Sequence, residues 1–169
     1  VAITDGEQNV MLFTSEGKGI RFKESDVRAM GRTARGVRGI KVGPDYRVIS
    51  LIIEEEGRQV LSASSNGYGK RTSISDFSVQ GRGGQGVIAM VTNERNGKLV
   101  GAVQVSDTDE IMLISDQGTL VRTKVDDVSV LGRNTQGVTL IRVSEDEHLV
   151  GVERIEEPEP DELAALDDS

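Results

Sequence analysis

Gly31-Arg32-Thr33-Ala34-Arg35-Gly36-Val37, Gly81-Arg82-Gly83-Gly84-Gln85-Gly86-Val87 and Gly132-Arg133-Asn134-Thr135-Gln136-Gly137-Val138 are three versions of one phrase, starting 50 and then 51 residues apart. A period of about 50 residues marks an array of supersecondary units, each burying its apolar face against its neighbour. Within every unit four short runs rich in Val, Ile and Leu recur, divided by Gly, Asn, Asp and Ser, which is the pattern of strands and tight turns. The first run covers Val10 to Phe13, Val60 to Ala63 and Ile111 to Ser115. The second covers Gly19 to Lys23, Gly69 to Ser73 and Leu120 to Lys124, entered through turns on Gly17, Gly67 and Gly118, where glycine adopts a positive φ at little steric cost. The third covers Val37 to Val42, Val87 to Thr92 and Val138 to Val143, and the fourth Val48 to Ile53, Leu99 to Gln104 and Leu149 to Arg154.

The first three runs step by 50 and then 51 residues and the fourth by 51 and then 50, which places one extra residue in the loop from Asn93 to Lys98. A surface hairpin loop tolerates such an insertion while the strands on either side keep register. Four strands in about 50 residues is the size of a propeller blade. The expected fold is therefore all-β and propeller-like, with blades over approximately 2–54, 55–105 and 106–155. Closed propellers need at least about four blades, so further blades are expected before Val1, with an open arc as the alternative; a first residue other than Met favours the former. From Glu156 the pattern breaks into an acidic stretch interrupted by Pro158 and Pro160, and 156–169 is expected to be a disordered tail with at most a turn of helix.

The composition agrees with a turn-rich folded chain: 36% hydrophobic and 28% charged residues, 3% aromatics and 20 glycines in 169 residues. No apolar run approaches the ~18 residues of a membrane-spanning helix, and no signal-peptide pattern is present. The absence of cysteine excludes disulfides and thiolate metal sites. The formal charge of −8 is concentrated at one end, because Glu153 to Ser169 holds eight acids against Arg154. The remaining body is nearly neutral, so its bases are free to gather on one face.

Strand alternation points Ile20 and Phe22 to one side of the second run and Arg21 and Lys23 to the other, with Arg71 and Ser73, then Arg122 and Lys124, as counterparts. Arg32, Arg82 and Arg133 from the glycine phrases add one base per unit, and Arg28, Arg35 and Arg38 enlarge the first cluster. Blades set side by side would turn these bases into a stripe suited to a nucleic-acid backbone. The competing reading is that outward bases only solubilise strands and guard edges. Without a recognition helix, and with few aromatics to stack unpaired bases, the expected target is duplex DNA bound by charge and bent. Eight repeat-equivalent bases meeting one phosphate each would give a salt slope of about −7 at roughly −0.9 per phosphate. Bending 20–30 base pairs costs about 1–6 kcal/mol, which such a contact set offsets.

Little in the chain reads as catalytic. Gly81, Gly83 and Gly86 spell a dinucleotide fingerprint, but the loop leads into Val87-Ile88-Ala89-Met90-Val91, a strand-like run, whereas pyrophosphate needs a helix N-terminus. Asp107, Asp109 and Glu110 lack the spacing, glycine and terminal glutamate of a calcium loop. His148 is the only histidine, too few for a His-based metal cluster. Tyr46 and Tyr68 sit in turns with no acid and base arranged around a nucleophile.

The phrases Val10-Met11-Leu12-Phe13, Arg21-Phe22-Lys23-Glu24-Ser25, Val27-Arg28-Ala29-Met30-Gly31, Asn66-Gly67-Tyr68-Gly69-Lys70-Arg71-Thr72 and Val130-Leu131-Gly132-Arg133-Asn134-Thr135-Gln136-Gly137-Val138 together resemble the C-terminal domain of bacterial DNA gyrase A over residues 1 to about 155. The resemblance implies a six-bladed β-pinwheel whose blades exchange strands, this chain being about half of it, with double-stranded DNA wrapped on a basic rim. The candidate DNA contacts on that rim, chosen by strand alternation and the glycine phrase, are Arg21, Lys23, Arg32, Arg35, Arg71, Arg82, Arg122, Lys124 and Arg133. The family's gyrase A box, Gln-Arg-Arg-Gly-Gly-Lys-Gly, has its nearest match in Gln80-Gly81-Arg82-Gly83-Gly84-Gln85-Gly86. Two of its three positive charges are absent there, so this is a degenerate copy and the true box is expected before Val1. The resemblance further implies a part with no catalytic residue, metal or cofactor of its own, ATP and Mg2+ being used elsewhere in the parent topoisomerase. The partners would be the rest of gyrase A together with gyrase B, in a bacterial cytoplasm beside the nucleoid. Two alternatives are the corresponding C-terminal domain of topoisomerase IV and a propeller-like protein-interaction scaffold. The acidic tail is expected to compete with DNA for the rim, so that deleting Glu156 to Ser169 tightens DNA binding.

Overall fold

A computed structural model describes residues 1–155; the acidic stretch 156–169 lies outside the described residues. Among the described residues twelve strands build three sheets. β1 (Asn9–Thr14), β2 (Lys18–Lys23) and β3 (Val48–Ile53) belong to the first repeat, β4 (Gln59–Ser64), β5 (Tyr68–Ser73), β6 (Val79–Gln80), β7 (Val87–Ile88) and β8 (Leu99–Val105) to the second, and β9 (Glu110–Ser115), β10 (Leu120–Lys124), β11 (Val138–Thr139) and β12 (Leu149–Ile155) to the third. In every repeat the first and second runs form a hairpin, and the fourth run pairs antiparallel with the other edge of the first. Those fourth-run strands, β3, β8 and β12, pack side by side and form the inner edge of the array.

The third run departs from its expected length. Only Val87–Ile88 and Val138–Thr139 pair as strands, and the stretch from Val37 to Val42 forms none. The reason lies in the partner: β7 pairs with β2 and β11 with β5, so the third run of each repeat is donated to the sheet before it. It meets that sheet for two residues and then bends across the preceding turn, where the amides of Ala89 and Met90 both donate to the Gly17 carbonyl, as those of Leu140 and Ile141 do to Gly67. The first repeat has no earlier sheet to join among the described residues. β6 runs parallel to β2 just beyond the Phe77 turn, and Val130 makes the same parallel bridge to Arg71.

The apolar core lies between blades. Met11 and Phe13 from β1 meet Phe77, Met90, Leu99 and Ala102 of the next repeat, with the Phe13 and Phe77 rings edge to face at 5.8 Å. Leu61 and Ala63 of β4 meet Ile111, Val125, Val128, Leu149 and Val152 of the third repeat in the same way. Burial thus falls where sheet faces sheet, as in a sandwich. The far face of the first sheet is covered by its own Ile40 over Ile20 and Phe22.

Candidate nucleic-acid interface

Each junction between repeats is tied by two arginines. Arg21 donates from Nε and NH2 to the Glu54 carboxylate at 2.8 and 2.6 Å, and from NH1 to the Phe77 carbonyl of the next repeat at 2.9 Å. Burial opposes ionisation of Glu54, but hydrogen bonds from Arg21 and Asn9 and the Arg21 charge outweigh it and hold its pKa below the usual carboxylate value. Arg71 repeats the arrangement, donating from Nε to the Val128 carbonyl at 2.7 Å and from NH1 to Gln59 Oε1 and Asp107 Oδ1. β5 is covered on both faces and Arg71 is only 6% exposed, so the outward row expected from strand alternation does not form there. Arg21 and Arg71 are blade-to-blade ties and not members of that row.

The second tie is the arginine of the glycine phrase. Arg82 donates from Nε to the Asp26 carbonyl and from NH1 to the Arg38 carbonyl, and Arg133 does the same to Asp76 and Ile88, one repeat later. These bonds hold the phrase against the preceding blade while the side chains stay at the surface. A guanidinium carries five N–H donors, so each keeps donors for an anion. Gly86 and Gly137, at φ of 74° and 78°, lie so close to the Gly19 and Gly69 carbonyls that an added Cβ would come within 2.5 and 2.6 Å of the oxygens. The segment from Gln80 to Gly86 is therefore the connector that carries the chain onto its neighbour: Gln80 pairs beside Phe22, the Gly83 amide donates to the Gly39 carbonyl, and the Gly84 carbonyl accepts from Lys41.

Lys70 lies at the second junction and is fully buried, although its position in the sequence suggested nothing. Its Nζ donates to the carbonyls of Gly132, Arg133 and Thr135 and to Thr135 Oγ1. Burial, reinforced by the Arg133 charge and opposed by Asp76, lowers its pKa to about 8.

Lys23, Arg32, Arg35, Arg82, Arg122 and Lys124 are exposed and Arg133 is half-buried; Arg122 also meets the Glu110 carboxylate. The phrase at 81–86 packs on 38–41, which brings Arg82 beside Arg38 and Lys41. Lys41 and Arg142 went unremarked in the sequence, where a clear signal stands in charge order. The stretches 27–44, 77–93 and 128–144 contain no acid, and each is bounded by one at both ends, Asp26 and Asp45, Asp76 and Glu94, Asp127 and Glu145. Together they carry eight bases, Arg28, Arg32, Arg35, Arg38, Lys41, Arg82, Arg133 and Arg142. In the second and third repeats these stretches form the outer layer, since β6, β7 and β11 lie on the edge opposite β3, β8 and β12. The acids of Asp107, Asp109 and Glu110 instead face arginines, Arg71, Arg58 with Arg154, and Arg122 respectively.

A repeat of hairpin plus inner strand, with the second and third repeats lending their outer segments to the blade before them, defines a β-propeller domain of the strand-exchanging kind. The sequence model described as "DNA gyrase C-terminal domain, beta-propeller" matches residues 8–53, 58–106 and 109–156. The chain belongs to that family. It is 66% identical over 93% of its length to the A subunit of DNA gyrase from Pseudomonas aeruginosa and 52% identical over its whole length to that of Escherichia coli. It spans 17% and 19% of those relatives. Among solved structures, a DNA gyrase A C-terminal domain superposes with a TM-score of 0.81 at 30% identity, over 88% of this chain and 50% of that one. The C-terminal domain of DNA topoisomerase IV superposes at 0.89 with 25% identity, over 99% and 53%.

Proposed function

We propose that the outer edge of the blades binds the phosphate backbone of duplex DNA without reading bases, and that in a longer gyrase A chain it bends and wraps DNA to support ATP-dependent negative supercoiling by the whole enzyme. The observation that carries this reading is the exclusion of acids from three equivalent stretches bearing exposed bases, two of which form the outer layer, in a chain whose acids lie elsewhere. A surface that merely needed solubility would mix both signs. The contacts belong to Lys23, Arg32, Arg35, Arg82, Arg122, Lys124 and Arg133, with Arg38 and Lys41 added. Arg21 and Arg71 support them from within. Catalysis, ATP and Mg2+ belong to the rest of gyrase A and to gyrase B, in the bacterial cytoplasm.

Fluorescence anisotropy with a short duplex across a salt series tests it. The nine proposed contacts, meeting one phosphate each, give an expected slope of about −8 at roughly −0.9 per phosphate. Charge reversal at Arg32, Arg82 and Arg133 should flatten that slope and weaken all duplex sequences alike. A folded triple variant with unchanged affinity would leave the blades as a protein-interaction scaffold.

A further inference from the structure

Lys70 is wholly buried between the second and third repeats, yet no carboxylate is bonded to its Nζ among the described residues. Its four acceptors are neutral oxygens, the carbonyls of Gly132, Arg133 and Thr135 at 2.7, 2.5 and 3.2 Å and Thr135 Oγ1 at 2.9 Å. Asp76 favours the ammonium less than burial and the Arg133 charge oppose it. A buried cation held only by dipoles is poorly compensated, and an anion on the outer side of the same loop would balance it.

The bonds to Lys70 also fix which way the loop's amides face. In a trans peptide the N–H points opposite to the C=O, and no peptide in the described chain is cis. Each carbonyl turned inward to Lys70 therefore turns the N–H of the following residue away from it, which are those of Arg133, Asn134 and Gln136. None of the three donates to another group among the described residues. They belong to a surface loop in which Asn134 is exposed and Arg133 and Gln136 half-buried. The Arg133 guanidinium, anchored through Nε and NH1 to the Asp76 and Ile88 carbonyls, stands on the same loop with further donors. Outward main-chain amides beside a guanidinium, with an ammonium behind them, suit an oxyanion.

The first junction is built differently at the equivalent place. Ile20 stands there for Lys70 and Gly84 for Thr135, so the ammonium and the hydroxyl that accepts from it are absent together. The Gly84 carbonyl accepts from the Lys41 amide instead, and the Gly83 amide, equivalent to that of Asn134, is engaged by the Gly39 carbonyl.

We propose that the loop 132–136 is a phosphate cradle in which the amides of Arg133, Asn134 and Gln136 and the Arg133 side chain hold one DNA phosphodiester, with Lys70 as the positioning residue that acts through the backbone. This rests on the duplex-binding reading above. It adds neutral main-chain donors, a kind of contact that charge order does not reveal.

Amide chemical shifts of the isotope-labelled 169-residue chain, followed as a short duplex is added, test the cradle in the unaltered protein. The Arg133, Asn134 and Gln136 resonances should move downfield together, and inorganic phosphate should move them only at far higher concentration. Lys70→Met, its fold checked by circular dichroism, should lose those shifts and bind duplex about tenfold more weakly, as for one hydrogen bond to a charged group. Its salt slope should match the parent's, because neutral donors release no counterions. Duplex binding that leaves the three amides unmoved would overturn the cradle and leave the proposed function standing. Saturation by inorganic phosphate ahead of duplex would make the ligand a free anion, and a Lys70→Met slope flattened by about 0.9 would mean that a cation had been lost; either overturns the proposal. A parent chain that binds no duplex would overturn the cradle and the proposed function together.

Discussion

Among single residues, the arginines divide by what holds them. Arg71 is buried on two carbonyl or amide oxygens and a carboxylate, so Arg71→Met should lose about 1.5–3 kcal/mol of stability in urea titration, the worth of a charge-assisted hydrogen bond. Arg82→Met, at an exposed site, should lose less stability and lower DNA affinity. Lys70 titrates with a pKa of about 8, below its ordinary value of 10.5. Between those two pH values the unfolded chain holds the Lys70 proton and the folded chain releases it, so stability gains a contribution as pH rises through that window. Urea midpoints measured from pH 7 to 10 should show this rise in the parent chain relative to Lys70→Met. None of these side chains announced its role by type: Arg21 and Arg71 sit on strands with the same alternation as surface bases, and only the next blade closing over them makes them interior.

At the level of elements, the four runs of each repeat were legible from alternation and glycine turns, and three of the four formed as read. The third run contains as many apolar residues as the others, yet pairs over only two residues where it docks. Its apolar side chains are used against the neighbouring blade and the preceding turn, as Ala89 and Met90 are in the first interblade core. Periodicity reports that a run is buried and does not report by what. The glycine phrase is the hinge of this exchange. Gly137→Ala should cost about 1–3 kcal/mol through its positive φ and its approach to the Gly69 carbonyl. Faster hydrogen exchange at Leu140 and Ile141 would show that the donated segment has loosened. Gly36→Ala, with a similar φ but open surroundings, should cost less.

For the whole molecule, the net charge of −8 is a poor guide to what it binds. Charge order matters more: acids bound each of the three stretches and are excluded from them, so bases stand without acids there in a chain of pI about 4.8. DNA affinity should therefore fall steeply with salt. Each exposed base removed, such as Arg35→Ala, should reduce the anisotropy-derived slope by about 0.9 if it meets a phosphate, whereas removal of Arg95, outside the acid-free stretches and stacked on Tyr68, should leave the slope unchanged.

Repeat length, blade count, the order of runs along the chain and the acid-free stretches were determined by the sequence alone, because a repeated fold writes its period into the chain and surface charge needs no partner to be counted. Only the tertiary structure decided which blade each third run joins, and with it which arginines face water. The physical reason is that exchange between blades is a long-range choice: a donated segment satisfies the backbone groups of a neighbouring strand, and the side chains it covers change from surface to core without any change in local pattern.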